Sequence, residues 1–300
     1  MTVSDSARTA SVITGLEERD PHRRRVYVGV RGALAFGLVG LVLVMAVLGP
    51  LITPADPLAQ DITQRLHPPA WLAHGQRSHL LGTDQLGRDV LSRLLSGARI
   101  SLTVSLASAA LAAVFGVLLG LSAGFYRGWL DDVVMRLVEI QLAFPYLLLA
   151  ITIMAVLRPS MRNVIFVLAI SGWVVHARLV RGITLSLAQG EFVQAARALG
   201  ASDRRLMVRH ILPNLLPVMT VVLTLQVAQF IVAESALSFL GLGLRPPTPS
   251  WGSMMNEGRE YLSLAWWIET FPGLVIVVAT TGIGLLGDWL RDVLDPRLKV

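Results

Sequence analysis

Three ionisable residues, Glu139, His176 and Glu234, stand inside stretches apolar enough to cross a membrane. A charge in hydrocarbon is costly unless it is paired or wet, so such residues mark ion pairs, helix contacts or ligand sites. Glu139 and His176 lie near Arg136 and Arg178, where plain ion pairs or snorkelling contacts are expected rather than ligand chemistry. Glu234 sits among small residues. It could face a central cavity and meet a substrate amine, or hydrogen-bond a neighbouring helix. Together with Gln229 it forms the candidate translocation path. No catalytic chemistry is legible beside them. The chain has no cysteine and no G-x-x-x-x-G-K-[ST], H-E-x-x-H or G-x-S-x-G motif, so it offers no way to hold ATP and no hydrolytic centre. The expectation is neither an enzyme nor a metal site, and no cofactor held by this chain.

These residues are positioned by apolar helices. Of the 300 residues 54% are hydrophobic and 15% charged, with a mean hydropathy of +0.62, a composition that a water-soluble globule could not hide. Candidate spans cover residues 33–52, 101–125, 133–157, 163–180, 214–240 and 271–290, each near the ~20 residues that cross a ~30 Å hydrocarbon core. The predicted fold is all-α, with six spans and both termini on one side. The periodicity suggests no broken helices of the kind that secondary transporters use at the midplane. The first span is expected to stay as an anchor, although Gly49 is a weak cleavage candidate. Lys and Arg concentrate before the first span, in the loop over 184–212 and at the C-terminal end. The positive-inside bias places these segments in the cytoplasm of a multi-pass plasma-membrane protein. The basic excess then reflects topology and contact with anionic lipid, not nucleic-acid binding. The expected organisation is a cytoplasmic tail over 1–32, a first span over 33–52, an external loop with an interfacial helix over 53–100, and a core over 101–300.

One soluble-looking insert, EFVQAARALGASDRRLMVRHILPN over 191–214, lies between two spans. Phe192, Ala195, Ala196 and Leu199 share one face of a short helix, and Gly200 follows where a left-handed C-cap would stop it. Ser202 can cap a second short helix whose Arg204, Arg205 and Arg209 stay in water, with Pro213 and Pro217 at the start of the next apolar run. The insert resembles the coupling loop of ABC importer permeases, E-A-A-x-x-x-G followed by I-x-L-P. Gln194, Ala195 and Ala196 stand at the E-A-A positions, Gly200 at the glycine, and Ile211, Leu212 and Pro213 at the end. Gln194 replaces the signature glutamate, which removes any ion pair from that position. The resemblance implies coupling through Glu191, Phe192, Gln194, Ala195, Ala196, Leu199, Gly200, Ala201 and Arg205.

Three further blocks resemble the dipeptide and oligopeptide branch of these permeases. In LGTDQLGRDVLSRLLSGARISL, over 81–102, Thr83 or Asp84 could cap an interfacial helix with Val90, Leu91, Leu94 and Leu95 on its apolar stripe and Arg88, Asp89 and Arg93 on its polar side. The second block runs from Ala233 to Leu262. There Gly241 and Gly243 permit sharp turns, Pro246, Pro247 and Pro249 stiffen a loop, and Trp251, Trp266 and Trp267 suit the headgroup boundary. An outer gate or docking rim and a merely re-entrant loop both fit it. The third is GDWLRDVLDPRL from Gly287 to Leu298. The branch implies a heterodimer with a second permease, two ATPase subunits that bind ATP and Mg, an external binding protein, and di- or oligopeptides as substrate. Nickel and glutathione remain alternatives within the branch. A passive channel or a membrane enzyme would leave the insert unexplained.

Overall fold

The computed structural model describes residues 21–294 and, apart from residues 21–28 and Pro50, their side chains. The helices are α1 (Pro21–Ile52), α2 (Val90–Tyr126), α3 (Gly128–Leu142), α4 (Tyr146–Val156), α5 (Met161–Leu187), α6 (Glu191–Ala198), α7 (Leu212–Phe239), α8 (Trp251–Gly258) and α9 (Trp267–Leu294). Among the described residues there is no strand. Five helical stretches are long and apolar enough to cross a membrane, and α3 with α4 makes a sixth if the pair is one span.

That pair corrects the expected third span. A bend of 88° separates α3 from α4, so residues 133–157 are not one continuous helix. The cause is local: Pro145 has no N–H to donate, and it pushes Phe144 away from helical dihedrals. Other boundaries move as well: α2 begins at Val90 and α5 runs on to Leu187. α1 already runs from Pro21, so the part of the expected tail from that residue onward is helix, while residues 1–20 lie outside the described residues. The insert's second helix is not separate, because Asp203–Arg205 continues through a π turn, Leu206–Ile211, into α7. The last residues of the third block, from Asp295, also lie outside the described chain.

Small residues set the central packing. A Cβ on Gly116 would stand 2.5 Å from Trp173 O, on Gly120 2.4 Å from Ala177 O, and on Gly124 2.8 Å from Arg181 O. These glycines recur every four residues, so one stripe of α2 lies backbone to backbone against α5. Close approach of this kind is how helices associate in lipid, where hydrophobicity supplies no contrast. Gly120→Val is expected to push α2 off α5 and cost at least the ~1–3 kcal/mol of an overpacked core. Thermal unfolding of the detergent-purified chain would show it as a lowered midpoint.

The end of the bundle remote from α6 holds a buried charge cluster in place of the expected interfacial helix. Asp89, not Thr83 or Asp84, caps α2 by accepting from Ser92 N at 2.8 Å. Arg88, Asp89 and Arg93 are 3%, 2% and 1% exposed, so the expected polar side faces protein. Asp84 accepts from Leu86 N and Arg88 N in a tight turn and pairs with both arginine side chains, at 2.7 Å to Arg88 Nε. Glu257 of α8 receives Arg93 at 3.0 and 3.1 Å, Arg88, and Gln85 Nε2 at 3.1 Å. Two cations thus meet two anions, and the loop, α2 and α8 are clamped together. Two of the tryptophans expected at the headgroups belong to the same core. Trp251, fully buried, donates to Leu94 O, and Trp267 donates to Thr83 O at 3.0 Å.

Burial pushes the Glu257 carboxyl up, but Arg93, Arg88 and Gln85 outweigh it and hold the group below its ordinary value. A carboxyl depressed on folding contributes stability that is complete above its unfolded pKa, about 4.3, and is lost as pH falls through the lower folded value. The unfolding midpoint should therefore fall on acidification from about pH 5 to about pH 3. Glu257→Gln should flatten that part of the profile.

Candidate coupling helix and membrane cleft

α6 is too short to be stable alone, and its seat holds it. Val193 is fully buried in a cluster with Leu121 and Phe125 of α2, Val180 of α5, Leu206 and Ile211 of the π turn, and Leu215 of α7, and Ala196 and Ala201 pack against it. Gly200 has φ +82°. Its N–H bonds Arg197 O at 2.9 Å while Ala201 N bonds Ala196 O at 3.1 Å, the paired bonds of a Schellman stop. Arg197 lies over the Phe125 ring, 5.6 Å from the centroid. At the other end, Gln194 Nε2 donates to Ala188 O at 2.9 Å. A glutamate there has no proton to give that carbonyl at neutral pH, so this departure from the signature secures the α5–α6 turn.

The predicted apolar face divides. Ala196 is half-buried toward the seat, while Phe192 is 46% and Leu199 89% exposed, with Ala195 exposed between them. Glu191 stands in the first turn of the helix, and Arg204, Arg205 and Arg209 are exposed nearby. α5 is itself tied to α3, with Arg181 Nη2 on Asp131 Oδ2 at 2.6 Å. A short helix fixed on one side and apolar on the other can transmit a displacement to the spans beneath it.

The ionisable residues separate. Glu139 pairs with Arg136 at 3.1 Å on an exposed surface. His176 is fully buried and meets Gln226 of α7, not Arg178. Glu234 is fully buried; it accepts from Ser101 Oγ at 3.1 Å and Ser238 Oγ at 2.7 Å, and Ser101 Oγ in turn receives Trp251 N at 3.3 Å. Its carboxyl joins α2, α7 and the start of α8. It lines neither of two hollows beside α5.

Gln229 does. A cleft of about 80 Å³ opens where the α3–α4 break meets α5 and α7, with Phe144, Tyr146, Ser171, Gln226 and Gln229 among its walls. Gln141 bonds Ser171 O at 2.8 Å and accepts from Trp173 Nε1 at 2.9 Å. Gln226 donates to Gly172 O at 2.9 Å. Beside it runs a wider groove of about 610 Å³ that shares Leu142, Val174 and Val175 and includes Arg178 and Gly182. Sequence reasoning missed the cleft. Phe144-Pro145 was the signal, since irregular backbone at membrane depth persists only where protein or water covers it. Among the described residues no cluster of His, Asp and Glu could hold a metal ion.

Residues 116–300 match the family described as binding-protein-dependent transport system inner membrane component. The chain is 44% identical over 271 residues to the di/tripeptide transport system permease protein DppC of Pseudomonas aeruginosa, covering 90% of this chain and 89% of that one. It is 41% identical over 271 residues to the dipeptide transport system permease protein DppC of Haemophilus influenzae, covering 90% and 92%. It is also 44% identical over 222 residues to the glutathione transport system permease protein GsiD of Pectobacterium atrosepticum, covering 74% of each. An inward-facing structure of the MetNI methionine ABC transporter matches with a TM-score of 0.55 at 18% identity, over 68% of this chain and 96% of the matched one.

Proposed function

Because the chain belongs to the binding-protein-dependent transport system inner membrane component family, we propose that it forms half of a path for di- and oligopeptides, driven by separate ATPase subunits through α6. The other half is a homologous permease, and an extracytoplasmic binding protein delivers the substrate. The observation that carries the coupling is the seated helix with Phe192, Ala195 and Leu199 turned outward. The basic residues around it support a cytoplasmic loop with both termini on the same side, where an ATPase groove can take the apolar face. ATP and Mg are held by those ATPases. Their closure displaces α6, and because Val193 packs α6 onto α2, α5 and α7, the spans move with it between two packed states. Peptide as substrate rests on the di/tripeptide and dipeptide permeases to which the chain is similar.

A second reading, import of glutathione, draws on the glutathione permease relative. The test is the ATP turnover of the chain reconstituted with the permease, ATPases and binding protein encoded beside it. Stimulation by a peptide mixture is expected. Stimulation by glutathione alone would select the second reading, and the absence of an associated ATPase would contradict both.

A further inference from the structure

We infer that the cleft at the α3–α4 break and the groove beside it form a peptide subsite inside the path, with Ser171 and Gln229 meeting main-chain amides and Arg178 taking the C-terminal carboxylate. This rests on the peptide reading above and adds to it where the substrate touches the chain and through which groups.

Ser171 is the first observation. It is 4% exposed and lines the cleft, and its Oγ has no hydrogen-bond partner. A buried hydroxyl without a partner is costly, and a ligand carbonyl would satisfy it. The helix break is the second. The first N–H groups of α4 have no acceptor within the helix. They carry the positive end of its dipole, and Phe144 and Tyr146 place that end at the cleft. Gln229 is exposed there, and among the described residues its amide makes no hydrogen bond. The cleft therefore holds unused donors.

Charge supplies the third. No carboxylate or histidine lines the cleft or the groove, and Arg178 is the one charged side chain there among the described residues; it is exposed and has no acidic partner. Such a surface suits carbonyls and a carboxylate, and it repels a bare metal cation. Ser171 and Arg178 lie seven positions apart, on one face of α5 and ~10 Å apart along its axis. An extended chain advances at most ~3.6 Å per residue, so the interval matches about three residues. Ser171 lies ~15 Å along α5 from its start, about half the thickness of a ~30 Å hydrocarbon core.

The test uses the complete reconstituted importer and compares uptake of a tripeptide with that of its C-terminal amide. The binding protein is the same throughout, so a change in the ratio between variants reports this chain. Arg178→Gln is expected to lower the acid-over-amide preference about tenfold, the equivalent of one charge-assisted hydrogen bond, and Arg178→Lys to keep it. The chain lacks cysteine, so Gln229→Cys adds a single thiol whose alkylation on this chain is expected to slow when peptide is supplied. An unchanged ratio in Arg178→Gln with uptake continuing, or alkylation of Gln229→Cys that peptide does not alter, would overturn the subsite and leave the importer reading standing. A thiol that never reacts would overturn it too, by marking the cleft as contact with the second permease. A wild-type complex that moves no peptide would sink the peptide reading itself, and the subsite with it.

Discussion

A Leu199→Asp chain is expected to enter the membrane, fold and pair with its partner permease, yet lose ATP-driven uptake. The side chain is 89% exposed and touches none of the seat, so the folded chain loses no packing. What changes is the outward face of α6, where a carboxylate would be desolvated against an apolar groove. Central anchors of an interface contribute ~2 kcal/mol or more each, about a thirtyfold loss of affinity, and an unpaired buried charge adds to that. Copurification of the ATPases should fall accordingly, while the thermal midpoint of the isolated chain stays unchanged. Phe192→Asp should behave alike. Ala196→Trp should do more harm, because Ala196 packs toward Val193 and a bulky ring would lift α6 from its base.

Arg93→Met is expected to produce the largest loss of stability. Arg93 is 1% exposed and bonds both Asp84 and Glu257. Removing it leaves the buried Asp84 and the partly buried Glu257 to share Arg88. Breaking a buried pair in this way costs ~3–5 kcal/mol, which lowers the unfolding midpoint of a chain this size by about 10 °C. Arg136→Met is the control, because its pair with Glu139 has side chains 76% and 65% exposed and such pairs contribute little. Restoring a neutral cluster by pairing Arg93→Met with Glu257→Gln should recover part of the loss.

Periodicity made α6 legible, since Phe192, Ala195, Ala196 and Leu199 recur at helical spacing and Gly200 can take the positive φ that ends the helix. It could not say which of them faces the seat, because small residues suit both a packed base and a docking face. Span existence was likewise legible from hydropathy. The α3–α4 bend was not, because hydropathy averages across Phe144-Pro145 and the apolar signal continues on both sides. Charge misled at the α2 start. Arg88, Asp89 and Arg93 look like a wet face one at a time, and only the distant Glu257 shows that they are buried as a set. Trp251 and Trp267 misled similarly, since an indole suits a membrane boundary and a core with a carbonyl to receive its N–H equally well. Glu234 resolves for the same reason: Ser238 is one turn away on its own helix, but Ser101 lies on α2 and far away in sequence.

The central claim, that ATPase closure drives the path through α6, is tested most directly by a reversible cross-link. Leu199→Cys in this cysteine-free chain would be paired with a cysteine in the ATPase groove, and peptide uptake into proteoliposomes followed before and after oxidation. The account predicts a disulfide between the two subunits, uptake before oxidation, arrest while the link holds the pair in one state, and recovery on reduction. Peptide uptake at the full rate with the disulfide quantitatively formed, or no disulfide at any position of the ATPase surface, would contradict it.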